Sequence, residues 1–192
     1  MCSISVVWGV NLCDGNRSPN GDVIRMDTPS CECKRLEDLA IVPMGHHEDV
    51  FRTLERVRER GSPWWWLYAS KCRECRQIWL VAQEERHNDL FILRRLDQAV
   101  SSRLLQDGVW PVDFDQYETL LEIGRDAGHS VRFFDVADSP LLHTIIDLAR
   151  ERPGIRVSEL ASLLNLDPTV AGYLARQAIE SMGVKITLDS EG

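Results

Sequence analysis

The chain has 192 residues, of which 44% are hydrophobic and 27% charged, and its formal net charge is −8. This size suits one ordinary domain or two small domains that share an interface, with enough apolar residues for a proper core. The acidic balance argues against an unaided nucleic-acid-binding protein, and no apolar run approaches the length needed to span a membrane. We therefore expect a soluble, cytoplasmic protein.

The first 28 residues carry the weakest structural pattern. Residues 11–20 collect Asn, Asp, Gly, Ser and Pro, which favour turns and loops. The segment has neither a basic n-region nor a clean apolar stretch, so it is a poor signal peptide. We interpret it as a disordered or mis-annotated extension, with Met26 as an alternative start and with Cys2 and Cys13 as cysteines that are not ligands.

Two closely spaced cysteine pairs dominate the first half of the chain. The second pair has C-x2-C spacing, and apolar runs at residues 64–70 and 77–83 predict a strand on each side of it. A turn between two strands lets both thiolates point at one ion, and structural zinc binds four such ligands in a tetrahedron. We predict that one structural Zn²⁺ is bound by Cys31, Cys33, Cys72 and Cys75.

Cysteine pairs also occur as buried thiols, as redox centres or as disulfides. A thioredoxin-like pair would open a helix, whereas a strand is predicted to follow Cys75. Disulfides require an oxidising compartment, and nothing at the N-terminus indicates export. The arrangement resembles a zinc ribbon in which the first knuckle is one residue shorter and 38 residues separate the two knuckles. A site with four thiolate ligands has no open coordination position, so its expected role is structural.

Between the cysteine pairs, residues 48–60 predict an amphipathic helix. Val50, Phe51, Leu54 and Val57 form its apolar stripe, and Gly and Pro follow where a helix should end. The preceding cluster of residues 46–49, His-His-Glu-Asp, suggests a metal or acid–base site. Acidic residues are also common at helix starts, where they complement the helix dipole, and we favour that interpretation.

Three consecutive tryptophans, Trp64–Trp66, begin the strand before the second cysteine pair. Because side chains alternate along a strand, Trp65 is expected on one face with Leu67, and its two neighbours on the other face. Both faces should then be covered, one of them by the helix of residues 48–60. A tryptophan left exposed at an edge would be a binding anchor, since aromatic residues dominate interface hot spots.

The chain then predicts a third strand and two helices. Leu90–Leu96 completes an antiparallel meander with the two strands around the second cysteine pair. Asp97 is expected to cap a helix that runs to residue 106, and Asp113 a second helix that runs through residue 125.

Residues 97–140 contain nine acidic and three basic residues, two of the basic ones being Arg125 and Arg132. On the second predicted helix, the outer face is acidic and is our candidate surface for a basic protein partner, although such faces are often merely solvated. The candidate partner-binding residues are Asp113, Asp115, Glu118, Glu122 and Asp126.

The last third of the chain resembles a helix-turn-helix or winged-helix module over residues 139–188. Asp138, Ser158 and Asp167 are expected to start three helices, and residues 183–188 a short closing strand. Five basic residues stand against seven acidic ones in residues 141–192, so phosphate affinity should be poor. We expect this module to pack or to contact protein rather than DNA.

The predicted fold is α+β: a small antiparallel meander with a four-cysteine zinc site, flanking helices and the helix-turn-helix-like module. The chain is expected to form two domains. Residues 29–136 form an α+β domain that the zinc ion cross-links, and residues 137–192 form the module, which packs on it. The sequence has no G-x-S-x-G, P-loop, G-x-G-x-x-G or H-E-x-x-H signature, so a non-enzyme is expected.

In overall character, and over residues 79–89, the chain resembles the small immunity proteins of bacteria. That resemblance implies a cognate toxin partner, often a nuclease with a basic surface, which the protein would neutralise by contact. The alternative is a transcriptional regulator that combines a zinc ribbon with a helix-turn-helix and binds DNA.

Overall fold

The computed structural model describes residues 30–129 and 139–189. The fold is α+β, and its centre is a five-stranded antiparallel sheet with strand order β1-β5-β4-β3-β2. The strands of the sheet are Leu39–Pro43 (β1), Leu54–Glu59 (β2), Leu67–Cys72 (β3), Ile78–Glu84 (β4) and Leu90–Leu96 (β5).

The described residues form six α-helices, of which the first packs on one face of the sheet and the last four on the other. They are Glu48–Phe51 (α1), Gln98–Ser102 (α2), Tyr117–Asp126 (α3), Ser139–Glu151 (α4), Val157–Leu163 (α5) and Pro168–Met182 (α6). A π-helical turn, Arg103–Asp107, continues α2. Two short strands, Ile155–Arg156 (β6) and Ile186–Thr187 (β7), pair in parallel beside α5 and α6.

The predicted meander is confirmed: β3, β4 and β5 are sequential antiparallel neighbours. Their side chains alternate between two cores. Leu80, fully buried, faces the helices, whereas Trp79 and Val81 face the N-terminal segment. Two apolar faces explain why β4 is buried along nearly its whole length, and why the strand reads as a continuous apolar run.

The prediction of one helix over residues 48–60 is wrong. Helix α1 ends at Phe51, and the chain continues as edge strand β2, in which Leu54 lies opposite Cys72 of β3. Val57, assigned to the apolar stripe, is 38% exposed. The free edge of β3 offers backbone hydrogen bonds to β2, which an argument from local periodicity does not include. The side chain of Arg58 in β2 also donates to the carbonyl of Leu104 at 2.9 Å.

The three tryptophans were predicted to alternate between the two faces of a strand. This is only partly confirmed, because strand β3 begins after the third tryptophan. Trp64 to Leu67 form a turn closed by a 3.1 Å hydrogen bond between the Leu67 N–H and the Trp64 carbonyl. Trp66 and Leu67 therefore share the core beneath the helices, and Tyr68 lies in the other core. Trp65 is 37% exposed, so it is the ring to which the conditional expectation of a binding anchor applies.

Both faces are covered, but the covering segments differ from the prediction. Segment 31–51 covers one face through Cys33, Met44 and Phe51. On the other face, one continuous core joins the sheet to α3, α4, α5 and α6. This continuity shows how the C-terminal helices pack on the sheet; the domain boundary near residue 137 stays a prediction.

Two predicted helix starts are wrong. Helix α3 begins at Tyr117 rather than after Asp113, and both carboxylate oxygens of Glu151 accept a hydrogen bond from the Tyr117 N–H at 2.9 Å. A cap from a residue far along the chain leaves no local signal. Helix α5 begins at Val157, where the Arg156 N–H donates to the nearby Glu159 at 2.8 Å and the Ser158 N–H to the distant Asp189 at 2.7 Å.

Other helix starts agree with the prediction. Asp97 caps α2 by accepting from the Val100 N–H at 2.8 Å, and Asp167 caps α6 by accepting from the Thr169 N–H at 2.8 Å. Asp138, the expected cap of α4, lies outside the described residues, as do the expected extension of residues 1–28 and Arg132. Within the described residues, no helix combines the length and apolar character needed to cross a membrane.

Candidate metal centre

The four predicted cysteine ligands converge on one point. The Sγ atoms of Cys31, Cys33, Cys72 and Cys75 all lie within 4.8 Å of one another. Cys33 and Cys72 are buried, whereas Cys75 is exposed. The cluster therefore lies at the edge of the core, with one side open to solvent.

The second cysteine pair occupies the predicted turn between two strands. Cys72 is the last residue of β3, and its N–H donates to the Gln77 carbonyl at 2.9 Å across the turn. The Arg76 N–H donates back to the Cys72 carbonyl at 3.0 Å, and Arg76 adopts a left-handed φ of 66°. These contacts close the loop tightly and turn both thiols of the pair towards the same side.

The first cysteine pair lies in a different local structure. Cys33 belongs to a 3₁₀ turn, Glu32–Lys34, that precedes β1 rather than joining two strands. Arg95 of β5 holds this turn by donating to the carbonyls of Cys33 at 2.8 Å and Leu36 at 2.6 Å. The site thus has a strand hairpin on one side and an anchored 3₁₀ turn on the other.

Two of the sulfur atoms have a buried hydrogen-bond partner. The indole N–H of Trp79 donates to Sγ of Cys33 at 3.3 Å, and the Cys72 thiol donates to the Thr53 hydroxyl at 3.5 Å. Both partners are buried, so they do not exchange these contacts for water. The Thr53 hydroxyl can donate in turn once Cys72 is ionised, and such donors stabilise and orient thiolates, which is the role of residues around a metal's ligands.

The surroundings shift the pKa values of the two buried thiols in opposite directions. Burial raises the pKa of Cys72, but the backbone N–H of Cys75 and the Thr53 hydroxyl outweigh that effect, and the pKa falls to about 6. Burial raises the pKa of Cys33 to about 12, although the Trp79 N–H opposes the shift. The Cys72 thiol therefore ionises more readily than the Cys33 thiol, which would need a nearby cation to lose its proton at neutral pH.

The four donors fit a tetrahedral metal ion. Zinc–sulfur bonds of about 2.3 Å place the sulfurs of a tetrahedron about 3.8 Å apart, and a contraction of an ångström or less achieves this from separations within 4.8 Å. The four cysteines are free thiols, with no disulfide among them in the described part of the chain. A redox pair at a helix start does not match either, because β4 follows Cys75.

Comparison with known proteins returned no match: no family model, no curated protein and no solved structure resembles this chain.

The histidine-rich segment before α1 is not part of a metal cluster among the described residues. The ring of His47 packs between Phe51 and Phe91, with centroids 6.0 Å and 5.5 Å away. Its Nδ1 also contacts the carbonyl of Met44. His47 therefore packs against the core beneath α1. It makes no side-chain capping bond to this four-residue helix, so the interpretation of the acidic residues as complements of a helix dipole stays a prediction.

Sequence reasoning did not identify Thr53, Trp79 and Arg95 as neighbours of the cysteines. A signal existed for Arg95, because a charged residue in an apolar strand requires a partner. Its guanidinium lies 4.5 Å from the centroid of the Trp79 ring and pairs with Asp38 at 3.0 Å. Thr53 and Trp79 carried no such signal, since both look like ordinary core residues.

The proposed acidic partner surface is already occupied by arginines from elsewhere in the fold. Among the five candidates, three pair across the structure, Asp113 with Arg94 at 3.2 Å, Glu118 with Arg152 at 3.2 Å, and Asp115 with Arg60. Three of the five candidate residues are therefore paired with arginines that lie outside residues 97–140, and the partner surface itself stays a prediction.

The remaining acidic charge lies towards the end of α3. Asp126 is highly exposed, and its 3.4 Å pair with Arg125 is a surface contact of little strength.

Glu118 and Glu122 line a groove between α3 and α5 together with Glu159. Burial raises the pKa of the Glu118 carboxyl, Arg152 opposes the shift, and the two other glutamates raise it further.

Proposed function

We propose that the four cysteines bind one structural Zn²⁺ and that the protein acts by contact with another protein rather than by catalysis. The observation that carries the zinc proposal is the convergence of four sulfurs within 4.8 Å from two distant parts of the chain. When bound, the ion would supply a rigid cross-link between segment 31–36 and the β3–β4 turn. Four thiolate ligands leave no open position for substrate or water.

The metal proposal is tested by elemental analysis of protein purified without added metal. We expect close to one equivalent of zinc, loss of the zinc in Cys72→Ser, and its retention in the control Cys13→Ser. Structural zinc contributes on the order of 10 kcal/mol in small peptides, so chelation should lower the melting temperature visibly. Iron in place of zinc, or no metal at all, would contradict the proposal.

The narrower proposal is an immunity-type protein that binds and neutralises a cognate bacterial toxin, such as a nuclease. It is supported by the net charge of −8 and by the acidic excess of residues 97–140, which suit a basic partner. We expect co-expression with the product of a neighbouring toxic gene to restore growth and to yield a stable complex. Unchanged toxicity, with both proteins folded and expressed, would rule this function out.

The alternative is a DNA-binding regulator, and one observation favours it. Helix α6 exposes Thr169, Tyr173, Arg176 and Gln177 on one side, as a helix that reads DNA would. Residues 141–192 have more acidic than basic side chains, which argues the other way. Salt-sensitive binding of the full-length protein to duplex DNA at micromolar concentration would favour the regulator over the toxin inhibitor.

A further inference from the structure

The four clustered cysteines differ in their exposure to solvent. Cys33 and Cys72 are 3% and 0% exposed, Cys31 is half-buried, and Cys75 is the exposed member of the cluster. The turn that carries Cys75, residues 73–76, is exposed throughout. A small solute that approaches the cluster from solvent therefore meets Cys75 first.

A pocket of about 430 Å³ opens beside the same turn. Cys75, Arg76 and Gln77 line one side of it, and the other lining residues come from β4, the end of β5, α2 and the π-helical turn. Among the described residues that line the pocket, Arg76 is the only one with a charged side chain. The pocket therefore gives small neutral molecules access to Cys75.

Cys72 lies next to Cys75 in the same short loop. The two sulfur atoms are within 4.8 Å of each other, and the backbone N–H of Cys75 donates to the Cys72 sulfur. The start of the loop is fixed, because the Arg73 N–H donates to the Thr53 carbonyl at 2.8 Å. A disulfide bond is about 2.05 Å long, so movement of the exposed Cys75 side chain has to close a gap of less than about 3 Å.

We propose that Cys75 is a modification site for peroxides, and that its oxidation ends in a Cys72–Cys75 disulfide that empties the metal site. The inference rests on the proposed zinc site, because it describes how that site is regulated. Bound zinc would keep the cysteine sulfurs in the thiolate form, which is the reactive one. Redox-sensitive cysteines are thiolates that solvent reaches and that lie beside a second, resolving cysteine, as Cys75 lies beside Cys72.

The reaction balances with hydrogen peroxide as the two-electron oxidant. The Cys75 thiolate attacks one peroxide oxygen, so that an S–O bond forms, the O–O bond breaks, and the departing hydroxide takes up a proton to become water. The Cys72 thiolate then attacks the sulfenic sulfur of Cys75. The S–S bond forms, the S–O bond breaks, and a second hydroxide leaves and is protonated. Each sulfur has lost one electron, and the peroxide has been reduced to two water molecules.

Disulfide formation removes two of the four ligands, because the thiolate is the form of cysteine that binds a metal. The remaining pair, Cys31 and Cys33, does not complete a four-coordinate site. The cross-link between segment 31–36 and the β3–β4 turn is then lost, although Arg95 still donates to the carbonyls of Cys33 and Leu36. The oxidised protein should therefore keep its sheet and melt at a lower temperature.

The test is treatment of the full-length, zinc-loaded protein with a small molar excess of hydrogen peroxide. A chromogenic chelator measures the released zinc, and mass spectrometry maps the disulfide after the free thiols have been alkylated in denaturant. We expect zinc release together with a Cys72–Cys75 disulfide. Dithiothreitol with added zinc should restore the melting temperature. Dimedone, which labels sulfenic acids, should modify Cys75 before the other three cysteines of the cluster.

Two matched variants separate the exposed thiol from the metal site as a whole. Cys75→His and Cys31→His each leave three cysteines and one histidine, a ligand set that also binds zinc. Cys75→His should slow peroxide-driven zinc release by a factor on the order of 10, since the exposed thiolate is gone. Cys31→His keeps both reacting cysteines and should release zinc at nearly the rate of the unaltered protein. Equal rates in the two variants would overturn the proposal.

The unaltered protein decides the question without either variant. Zinc that stays bound in the presence of peroxide, or a disulfide that joins Cys75 to a cysteine other than Cys72, would overturn the inference and leave the zinc site intact. Purified protein that contains no zinc before treatment would overturn the inference and the proposed zinc site together.

Discussion

The indole N–H of Trp79 donates a hydrogen bond to Sγ of Cys33 at 3.3 Å. Trp79 is fully buried at the centre of the sheet, so this contact joins the core directly to a candidate metal ligand. The core and the metal site should therefore be coupled, each stabilising the other.

Trp79→Phe removes the donor and keeps most of the aromatic packing. A hydrogen bond to a charged group contributes about 1.5–3 kcal/mol, so the zinc dissociation constant should rise by a factor on the order of 10 to 100. Competition with a chromogenic chelator measures it. Trp65→Phe, which alters an exposed ring outside the cysteine cluster, is the control, and equal effects of the two variants would contradict the coupling.

Acidification should destabilise the fold through His87. Burial and the neighbouring charge of Arg86 lower the pKa of His87 from 6.5 to about 4, so the unfolded chain binds the proton more tightly than the folded protein. Stability is then complete above pH 6.5 and is lost as the pH falls towards 4, by at most about 3 kcal/mol.

The measurement is urea denaturation between pH 7 and pH 4. His87→Gln should flatten the decline over this range, even though it also removes the 2.6 Å contact between His87 and Thr144. His143→Gln, on the exposed side of α4, should leave the decline unchanged. If His87→Gln loses stability with falling pH in the same way as the wild type, His87 is not the cause of the acid destabilisation.

Glu151 should stabilise the fold through its contact with the first turn of α3. Its carboxylate accepts from the Tyr117 N–H at 2.9 Å and so caps α3 from the end of α4. Loss of a helix cap costs about 0.5–2 kcal/mol, and Glu151→Ala should lower the free energy of unfolding by that amount. Glu180→Ala, on the exposed side of α6, is the comparison for chemical denaturation and should change it little.

Charge reversal should distinguish the acidic residues that stabilise the fold from those that do not. Asp115→Lys and Glu118→Lys should lower the melting temperature, because each places a lysine against an arginine, Arg60 or Arg152. Glu122→Lys and Asp126→Lys should leave the melting temperature within about 1 °C, as surface substitutions usually do.

The same variants test the partner surface. If α3 meets a basic partner, Glu122→Lys and Asp126→Lys together should slow association and reduce its salt dependence. An unchanged association rate in this double variant would place the interface elsewhere.

The sequence by itself determined the four-cysteine cluster, the meander and most helices, because these depend on local spacing. C-x2-C between two apolar runs indicates a metal-binding turn, and continuous apolar runs and capping residues mark strands and helices. Asp97 and Asp167 lie immediately before the helices that they cap, so their role is visible in the chain order.

Only the tertiary structure decided features that depend on distant partners. Strand β2 forms because β3 presents a free edge, and α3 starts where Glu151 can cap it, 34 residues further along the chain. Arginines from three other segments neutralise much of the acidic stretch for the same reason. Hydrogen bonds and ion pairs between remote residues leave no periodic pattern, so their positions follow only from the packed fold.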